Sequence, residues 1–353
     1  MPRTDPSNLL VLGVESSCDE TTVALVRGGR KVVGSLVASQ VDVHAKFGGV
    51  VPEIAAREHL RILRPLFDQL LEETQHTVDD IDVIAVSQGP GLVGALLVGA
   101  SFAKGLACAS NRPLVPVDHV HAHIHGALLG AENDEVDIYP LLALVVSGGH
   151  TNLYYMKSPV HFELLAHTLD DACGECFDKV AKIMGLPYPG GPHIERLARG
   201  GRPEKVTMPR MVERKAQMAF SYSGLKTHMA QLLQKSPKPL DGEFVADACA
   251  AFQREALGQI VRKLESAYTS RPDAKKILVA GGVAANQYFK ELVGRHLRLP
   301  VVFPPLAYCS DNAAMIAACG WHQYVSAPPA SEKDCHLWDV YSRYKFEDYL
   351  CKG

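Results

Sequence analysis

The sequence lacks the features that would assign it to a membrane, secreted or strongly basic class. No apolar stretch reaches the roughly 20 residues of a membrane-spanning helix, and the polar N-terminus carries neither an apolar targeting run nor an arginine-rich leader. The nine cysteines are scattered without a disulfide framework, which is typical of reduced thiols. A net charge of −3 over 353 residues gives no general attraction to nucleic acids or anionic membranes. We therefore expect a cytoplasmic globular protein large enough for two lobes.

The most informative stretch is a histidine run. His119, His121, His123 and His125 occupy every second position. On a helix, His119 and His123 share one face and the other two share a second, whereas on a strand all four share one face. Imidazole suits zinc and iron, and this i, i+4 pairing is typical of helical metal sites. The spacing alone leaves open a metal site or a histidine-rich helix end without a metal.

Three short apolar runs, each typical of a buried strand, end in polar or glycine-rich turns. Backbone amides in such turns can approach a phosphate or carboxylate closely, although plain turn chemistry also explains them. The first two runs are followed by a further strand-like segment, so the pattern indicates a duplicated domain that binds a nucleotide. The runs are Leu9–Val14 before the turn at 15–20, Leu141–Val146 before the turn at 147–151, and Ile277–Ala280 before the turn at 281–286.

Helical patterns alternate with these strands. The alternation predicts an α/β fold in which mixed sheets are covered by helices. We predict an N-terminal lobe at 1–130, a C-terminal lobe with a helical insertion at 131–326, and an aromatic tail at 327–353. In the first predicted helix, Pro65 is expected to kink or break the chain. The predicted helices are Arg57–Thr74, Gly94–Ala109, Asp178–Met184, Leu225–Leu233, Glu243–Tyr268 and Asp311–Val325.

An ordered set of motifs from about Leu9 to Val325 resembles the bacterial-type tRNA threonylcarbamoyladenosine transferase family (TsaD), once labelled O-sialoglycoprotein endopeptidase. Each motif alone is a soft pattern, and the ordered set leaves little room for accident. The motifs are Gly13-Val-Glu-Ser-Ser-Cys-Asp-Glu-Thr-Thr22, His44-Ala-Lys-Phe-Gly-Gly-Val-Val-Pro-Glu53 with Arg57 and His59, Gly89-Pro-Gly-Leu-Val-Gly94, His119-Val-His-Ala-His123, Val146-Ser-Gly-Gly-His-Thr151, Asp170-Asp-Ala-Cys-Gly-Glu-Cys-Phe-Asp-Lys179, Tyr188-Pro-Gly-Gly-Pro192, Phe220-Ser-Tyr-Ser-Gly-Leu-Lys-Thr227, Gly281-Gly-Val-Ala-Ala-Asn286 and Cys309-Ser-Asp-Asn-Ala-Ala314.

The resemblance implies a duplicated actin/hexokinase/Hsp70-like fold and a specific reaction. The family transfers a threonylcarbamoyl group from threonylcarbamoyl-AMP to N6 of adenosine 37 in tRNAs that read ANN codons, and AMP is released. The resemblance also implies one divalent metal, Fe or Zn, bound by His119, His123 and Asp311. Since Asp311 is far from the histidines in sequence, we expect this site to link the two lobes. The resemblance places the nucleotide on Val145, Val146, Ser147, Gly148, Gly149, Asp178, Gly191 and Asn286.

The catalytic group is left open by the sequence. Glu15, Asp19 and Glu20 form an acidic turn that could orient the incoming amine or simply cap a hairpin. His150, beside the predicted phosphate turn, fits a general acid or base, or a hydrogen-bonded structural residue. Cys173 and Cys176 have redox spacing without the context of a redox fold, so we interpret them as incidental.

Partners are implied by the resemblance. Bacterial relatives work with an inactive paralogue (TsaB-like), a P-loop ATPase (TsaE-like) and an upstream adenylate-forming synthase, with tRNA as substrate and no membrane. Within the chain, a local basic stretch is either the best tRNA contact or a solvated loop; it comprises Arg202, Lys205, Arg210, Arg214 and Lys215. The aromatic tail from Trp338 is expected to dock on its own surface or on that of a partner.

Two other classes of enzyme compete with this interpretation. A zinc peptidase would place a glutamate beside the histidine pair, as in His-Glu-x-x-His, but no acid lies within His119–His125. A sugar or acetate kinase-like ATPase could use the same fold. It would have no need of the histidine pair with Asp311.

Overall fold

The computed structural model describes residues 5–47, 49–129, 138–211, 218–236, 241–327 and 337–343. The chain divides into two compact units. The first comprises Met1–Asp134 and Pro304–Gly353, and the second comprises Glu135–Phe303. The polar segment 130–136, predicted to separate the lobes, lies outside the described residues.

The first unit is built on a five-stranded sheet with the order β3-β2-β1-β4-β5. β1 to β3 form an antiparallel meander, and β4 and β5 run parallel to β1. The polar turn at 15–20 joins the first two strands, as predicted from the sequence. The strands are β1 (Leu10–Glu15), β2 (Glu20–Arg27), β3 (Lys31–Ser39), β4 (Val83–Gly89) and β5 (Leu114–Asp118).

Helices cover both faces of this sheet, which explains why β1 is apolar from Leu10 to Val14, before Glu15 ends the strand. Leu10 and Leu12 face the core beneath α2 and α3, whereas Val11 faces the core that includes α10. A Cβ on Gly13 would lie 2.0 Å from the carbonyl oxygen of Ala313, so only glycine lets α10 approach β1 so closely. The helices of this unit are α1 (Val41–Ala45), α2 (Pro52–Thr74), α3 (Val93–Ser110), α4 (His119–Gly126) and α10 (Ala313–Ser326).

The second unit is built on a six-stranded sheet with the order β11-β10-β6-β7-β8-β9. β6 to β8 repeat the antiparallel meander, and β10 and β11 run parallel to β6. The strands are β6 (Leu141–Val146), β7 (Thr151–Ser158), β8 (His161–Thr168), β9 (Ala219–Phe220), β10 (Lys276–Ala280) and β11 (Val301–Val302). The helices are α5 (Cys173–Ile183), α6 (Gly190–Ala198), α7 (Ser223–Lys235), α8 (Gly242–Ser270) and α9 (Gln287–His296).

The repeated meander with two parallel strands confirms the predicted duplicated α/β architecture. Two details differ from the prediction. α2 runs on through Pro65 to Thr74, so this proline does not break the helix. The segment from Pro304 onward belongs to the first unit and α10 packs there on β1, although the sequence pattern places residues up to 326 in the C-terminal lobe.

One helix in the described part of the chain is long and apolar enough to cross a membrane by length and composition alone. This helix is α3, whose 18 residues have a mean hydropathy of 1.5. It packs against α2 and β4, and its small residues Ala95, Gly99 and Ala103 are buried. One third of its residues are buried, so the helix predicted at 94–109 is present but only partly buried.

Candidate active site

The histidine run folds as the helix α4, which begins directly after β5. Asp118 caps this helix, since its Oδ1 accepts hydrogen bonds from the amides of Val120 and His121 at 2.9 and 3.0 Å. On the resulting helix the rings of His119 and His123 are neighbours, with centroids 4.8 Å apart. The helical interpretation of the run is therefore confirmed.

Asp311 meets this histidine pair. Its Oδ1 lies 3.2 Å from Nε2 of His123 and 3.7 Å from Nε2 of His119. The three side chains offer ligand atoms within 4.8 Å of one another, and they form the metal-competent group found in the described part of the chain. All three residues belong to the first unit, so the expectation that this site links the two lobes is wrong. Asp311 lies next to the two histidines because α10, which follows it in the chain, packs on α4 and β1.

The donor set fits a metal ion. His123 is 1% exposed, and neither of its ring nitrogens forms a hydrogen bond with a described residue. A buried imidazole without a hydrogen bond is costly unless another group engages it. Two imidazoles and one carboxylate leave coordination positions open, as a catalytic site requires.

Glu15, at the end of β1, orients one member of the pair. Nδ1 of His119 donates to Glu15 Oε2 at 2.9 Å, which leaves Nε2 for the side of Asp311. Burial acts to raise the pKa of Glu15, but the neighbouring His119 holds it below the usual value. Burial likewise acts to lower the pKa of His119, but Glu15 and Asp311 raise it to about 9. Glu15 thus fixes the orientation of the His119 ring, as a carboxylate does for a histidine that binds a metal.

The rest of the acidic turn lies beside the same group. Burial and the carboxylates of Asp311 and Asp19 raise the pKa of Glu20 to about 8. His59 supports this turn, since its Nε2 donates to the Cys18 carbonyl at 3.0 Å. Sequence reasoning named His59 within a motif but gave it no role in the site, and it missed Asp118. The Asp118 cap had a signal, because an aspartate directly before a helical run is an N-cap pattern.

His121 and His125 lie away from the candidate metal group. Nδ1 of His121 is 3.9 Å from Asp118 Oδ1, and the ring of His125 lies 4.7 Å from that of His322 on α10. The two faces predicted for the histidine run are therefore realised, with His119 and His123 on the face that meets Asp311.

The predicted nucleotide residues all lie in the second unit. The turn after β6 closes through the amide of Ser147, which donates to the His150 carbonyl at 2.8 Å. Val145 and Val146 are fully buried and paired within the sheet, so they lie behind the turn rather than on its surface. Side chains at Gly148 and Gly149 would meet no atom within 4 Å, so the outer side of the turn is open.

Two other segments approach this turn. The amide of Gly174, in the first turn of α5, donates to the Ser147 carbonyl at 3.1 Å. Gly281 has φ +91°, and a Cβ there would lie 2.6 Å from the Val146 carbonyl oxygen. The glycine turns after β6 and β10 are therefore neighbours, as a common ligand would require.

Asp178 and Asn286 also have structural tasks. Asp178 lies inside α5 rather than at its start, and its Oδ1 accepts from the Gly190 amide at 2.6 Å. Asn286 caps α9 through Oδ1 and donates from Nδ2 to Gln253 at 3.1 Å. Gly191 has open space around a Cβ position. Binding of the nucleotide by these three residues stays a prediction.

The remaining candidates from the sequence are the basic stretch and the two cysteines, Cys173 and Cys176. Arg202 forms an ion pair with Glu243, whereas Arg214 and Lys215 of the predicted tRNA patch lie outside the described residues. Cys173 and Cys176 are buried free thiols, and burial raises the pKa of Cys173 to about 12. That shift disfavours the reactive thiolate.

Known proteins resemble this chain in sequence and in fold. A family model described as "TsaD: tRNA N6-adenosine threonylcarbamoyltransferase" matches residues 31–318. Proteins called tRNA N6-adenosine threonylcarbamoyltransferase are 48% identical in Symbiobacterium thermophilum over 89% of this chain and 91% of that protein, and 46% identical in Geotalea uraniireducens over 98% and 100%. The one from Bacillus subtilis is 45% identical over 90% and 91%.

Solved structures share the fold at low identity. Full-length HypF in its phosphate- and nucleotide-bound form has a TM-score of 0.59 at 12% identity, covering 91% of this chain and 47% of that one. A ROK hexokinase from Thermus thermophilus has a TM-score of 0.51 at 14% identity, covering 90% and 99%. These likenesses confirm the actin/hexokinase-like fold predicted from the motifs.

Proposed function

This chain belongs to the tRNA N6-adenosine threonylcarbamoyltransferase family, and from that premise we propose that His119, His123 and Asp311 hold one divalent metal for the transfer. The reaction moves threonylcarbamoyl from threonylcarbamoyl-AMP to N6 of adenosine 37 in tRNAs that read ANN codons. The observation that carries the metal assignment is the meeting of three ligand atoms within 4.8 Å around the buried His123. Iron and zinc both suit this donor set.

The chemistry is the attack of a weak aromatic amine on an activated carbonyl. The N6 nitrogen forms a bond to the carbamoyl carbon, the bond from that carbon to the phosphate oxygen breaks, and N6 loses one proton. When bound, the divalent metal supplies Lewis-acid polarisation of a substrate oxygen. The chain must also hold the adenylate and bring the amine into line.

Different residues are proposed to orient the metal ligand, to orient the amine and to transfer the proton. Glu15 holds the Nδ1 proton of His119 and so presents Nε2 as the ligand atom. Because Glu15 is engaged in this way, Asp19 and Glu20 are the stronger candidates to orient the amine. His150 remains a candidate for proton transfer beside the glycine turn.

The second unit is proposed to hold the AMP moiety. The amides of Gly148 and Gly149 and the hydroxyl of Ser147 are offered to the phosphate, while the buried Val145 and Val146 support the turn from the end of β6. Asp178, whose carboxylate also accepts from the amides of Gly190 and Gly191, is proposed to accept ribose hydroxyls, and the space around Gly191 accommodates the sugar or base. Asn286 pairs with a polar edge of the ligand.

Companion proteins are proposed because the chain offers little charge for tRNA by itself. An inactive paralogue is proposed to bind the face of α2 and α3, which pack together where Gly94 meets Ala56. On this face Leu60 is 73%, Val93 46% and Leu97 45% exposed. An apolar patch of this kind is typical of an interaction surface. A P-loop ATPase and an upstream adenylate-forming synthase complete the set, and a cytoplasmic location is proposed for all of them.

Five single variants test the metal assignment. His119→Ala, His123→Ala and Asp311→Ala are each expected to abolish stoichiometric metal and transfer to tRNA, because a missing ligand costs more than the 10–100-fold loss typical of a missing second-layer partner. His121→Ala and His125→Ala are the matched controls from the other face of α4, and they are expected to keep the metal. Elemental analysis, thermal melting and modified-nucleoside detection are applied to each. A His119→Ala protein that keeps full metal while His121→Ala loses it would contradict the assignment.

Omission experiments test the partners. The chain is supplied with threonylcarbamoyl-AMP and unmodified tRNA, with and without the paralogue and the ATPase. We expect poor turnover by the isolated chain. Leu60→Lys with Leu97→Lys should prevent binding of the paralogue. Robust multiple turnover by the chain alone, or formation of a homodimer that needs the same leucines, would contradict this part of the proposal.

A further inference from the structure

A C-terminal segment that the proposed reaction does not use lies on the first unit. We name residues 337–343 the C-terminal strap. Its Trp338 packs against the core beneath α2 and α3. Lys104 of α3 lies over the indole, with Nζ 4.2 Å from the ring centroid, and donates to the Trp338 carbonyl at 2.7 Å. The described part of the tail therefore docks on its own chain, one of the two outcomes expected for the tail.

The strap is attached to the end of β4. Nε2 of Gln88 donates to the carbonyl of Asp339 at 2.8 Å, and the amide of Tyr341 donates to the Gln88 carbonyl at 3.2 Å. Gly89 has φ +152°, and a Cβ there would lie 2.2 Å from the Tyr341 carbonyl oxygen. The strap thus runs directly over this glycine, where no side chain would fit.

Tyr341 extends from the strap to the cap of the histidine helix. Its hydroxyl donates to Asp118 Oδ2 at 2.7 Å, while Asp118 Oδ1 accepts from the amides of Val120 and His121. The two oxygens of one carboxylate are therefore divided between the strap and the first turn of α4. A hydrogen bond from a hydroxyl to a carboxylate is among the stronger kinds, because the acceptor is charged.

We propose that Tyr341 is a positioning residue for the metal centre. By fixing Asp118, it fixes the first turn of α4 and so holds His119 and His123 in ligating geometry. Without the hydroxyl, Oδ2 loses this hydrogen bond, and the carboxylate is held less firmly against the helix amides. This inference rests on the metal site of the proposed function, and its effect is on metal affinity rather than on the chemistry of transfer.

The test is Tyr341→Phe in the full chain, which removes the hydroxyl and keeps the ring. Tyr324→Phe is the matched control, since Tyr324 is a partly buried tyrosine of the same unit that lies on α10 rather than on the strap. The dissociation constant for Zn²⁺ is measured by competition with a chelator, and hydrogen exchange of the α4 amides is followed without metal. We expect about tenfold weaker Zn²⁺ binding and faster exchange in Tyr341→Phe. The control should stay within about twofold of the original protein.

A double variant separates positioning from general stability. Asp118→Asn keeps an oxygen for the helix amides but not the charged acceptor for Tyr341. If the tyrosine acts through Asp118, adding Tyr341→Phe to Asp118→Asn should change Zn²⁺ affinity by less than about twofold. A full additional loss of about tenfold would overturn the inference, as would a Tyr341→Phe protein that matches its control.

The failure of the underlying metal site has a different signature. His119→Ala is measured in the same Zn²⁺ competition. If His119→Ala binds Zn²⁺ as tightly as the original protein, the proposed metal site fails, and the inference about Tyr341 is overturned with it. If binding requires His119 but not the Tyr341 hydroxyl, only the inference is overturned.

Discussion

Glu15→Gln is the perturbation that most directly tests how the candidate metal site is supported. Glu15 is 1% exposed and accepts hydrogen bonds from Nδ1 of His119, from the amide of Ser17 and from the hydroxyl of Ser87. A glutamine has only one acceptor oxygen, so either orientation of its amide turns an NH₂ group toward at least one of these donors. An unsatisfied buried donor costs about 1–3 kcal/mol.

The same substitution removes the charge that makes His119 a better ligand. Loss of a second-layer carboxylate typically weakens metal binding 10–100-fold, which corresponds to about 1.4–2.8 kcal/mol. We therefore expect Glu15→Gln to lower the free energy of unfolding of the metal-free protein by about 1–3 kcal/mol, and to weaken metal binding in addition. Urea unfolding without metal gives the first quantity, and chelator competition on folded protein gives the second.

Two results would refute this reasoning. If Glu15→Gln binds metal as tightly as the original protein, the contact between Glu15 and His119 does not support the ligand. If it loses metal as completely as His123→Ala does, Glu15 is itself a ligand and the three-residue donor set is incomplete. Glu15→Asp keeps the charge and serves as the comparison, because a loss restricted to Glu15→Gln isolates the charge from the length of the side chain.

Three further predictions concern packing and pH. Gly13→Ala places a Cβ 2.0 Å from the Ala313 carbonyl oxygen, so urea unfolding should register a loss of about 1–3 kcal/mol; an unchanged midpoint would mean that α10 moves freely on β1. Gly174→Ala places a Cβ 2.7 Å from the Ser147 carbonyl oxygen, so calorimetry should find AMP binding weakened roughly tenfold; equal affinity would exclude the turn from the nucleotide site. In the fold, burial acts to raise the pKa of Asp170, but hydrogen bonds from 221–223 hold it below the usual value. Its stabilising contribution is therefore present above about pH 4 and lost as the pH falls through the lowered pKa. The free energy of unfolding of Asp170→Asn should accordingly depend less on pH in that range than that of the original protein. Parallel curves of this free energy against pH for the two proteins would contradict the prediction.

Much of the fold could be predicted from local pattern. The apolar runs that became β1, β6 and β10 are covered on both faces, so they lack the alternation of a half-exposed strand and stand out in the sequence. The spacing of the histidines was enough to separate the two faces of α4, because a helix repeats every 3.6 residues. The acidic turn before β2 followed from the clustering of polar residues between two apolar runs.

Other features depend on contacts between distant segments, which no local pattern contains. The sequence assigned α10 to the C-terminal lobe by its position, whereas packing against β1 decides its place. Asp178 resembled a helix start, yet α5 begins five residues earlier, at Cys173, and Asp178 accepts from the amide of Gly190 instead. The contact of Tyr341 with Asp118 joins residues 223 positions apart, so the docking of the tail could be stated only as an alternative.

The return of α10 to the first unit has a consequence for the order in which the protein can be completed on the ribosome. Synthesis delivers His119 and His123 first, and about 190 further residues, including the whole second unit, must be made before Asp311 emerges. At about 5–20 residues per second, that interval lasts roughly 10–40 s. During it, one face of the first sheet, including Val11 and Val26, lacks the helix that buries it. The nascent first unit therefore has an exposed apolar face and an incomplete set of the proposed metal ligands, and the addition of α10 with Asp311 completes both.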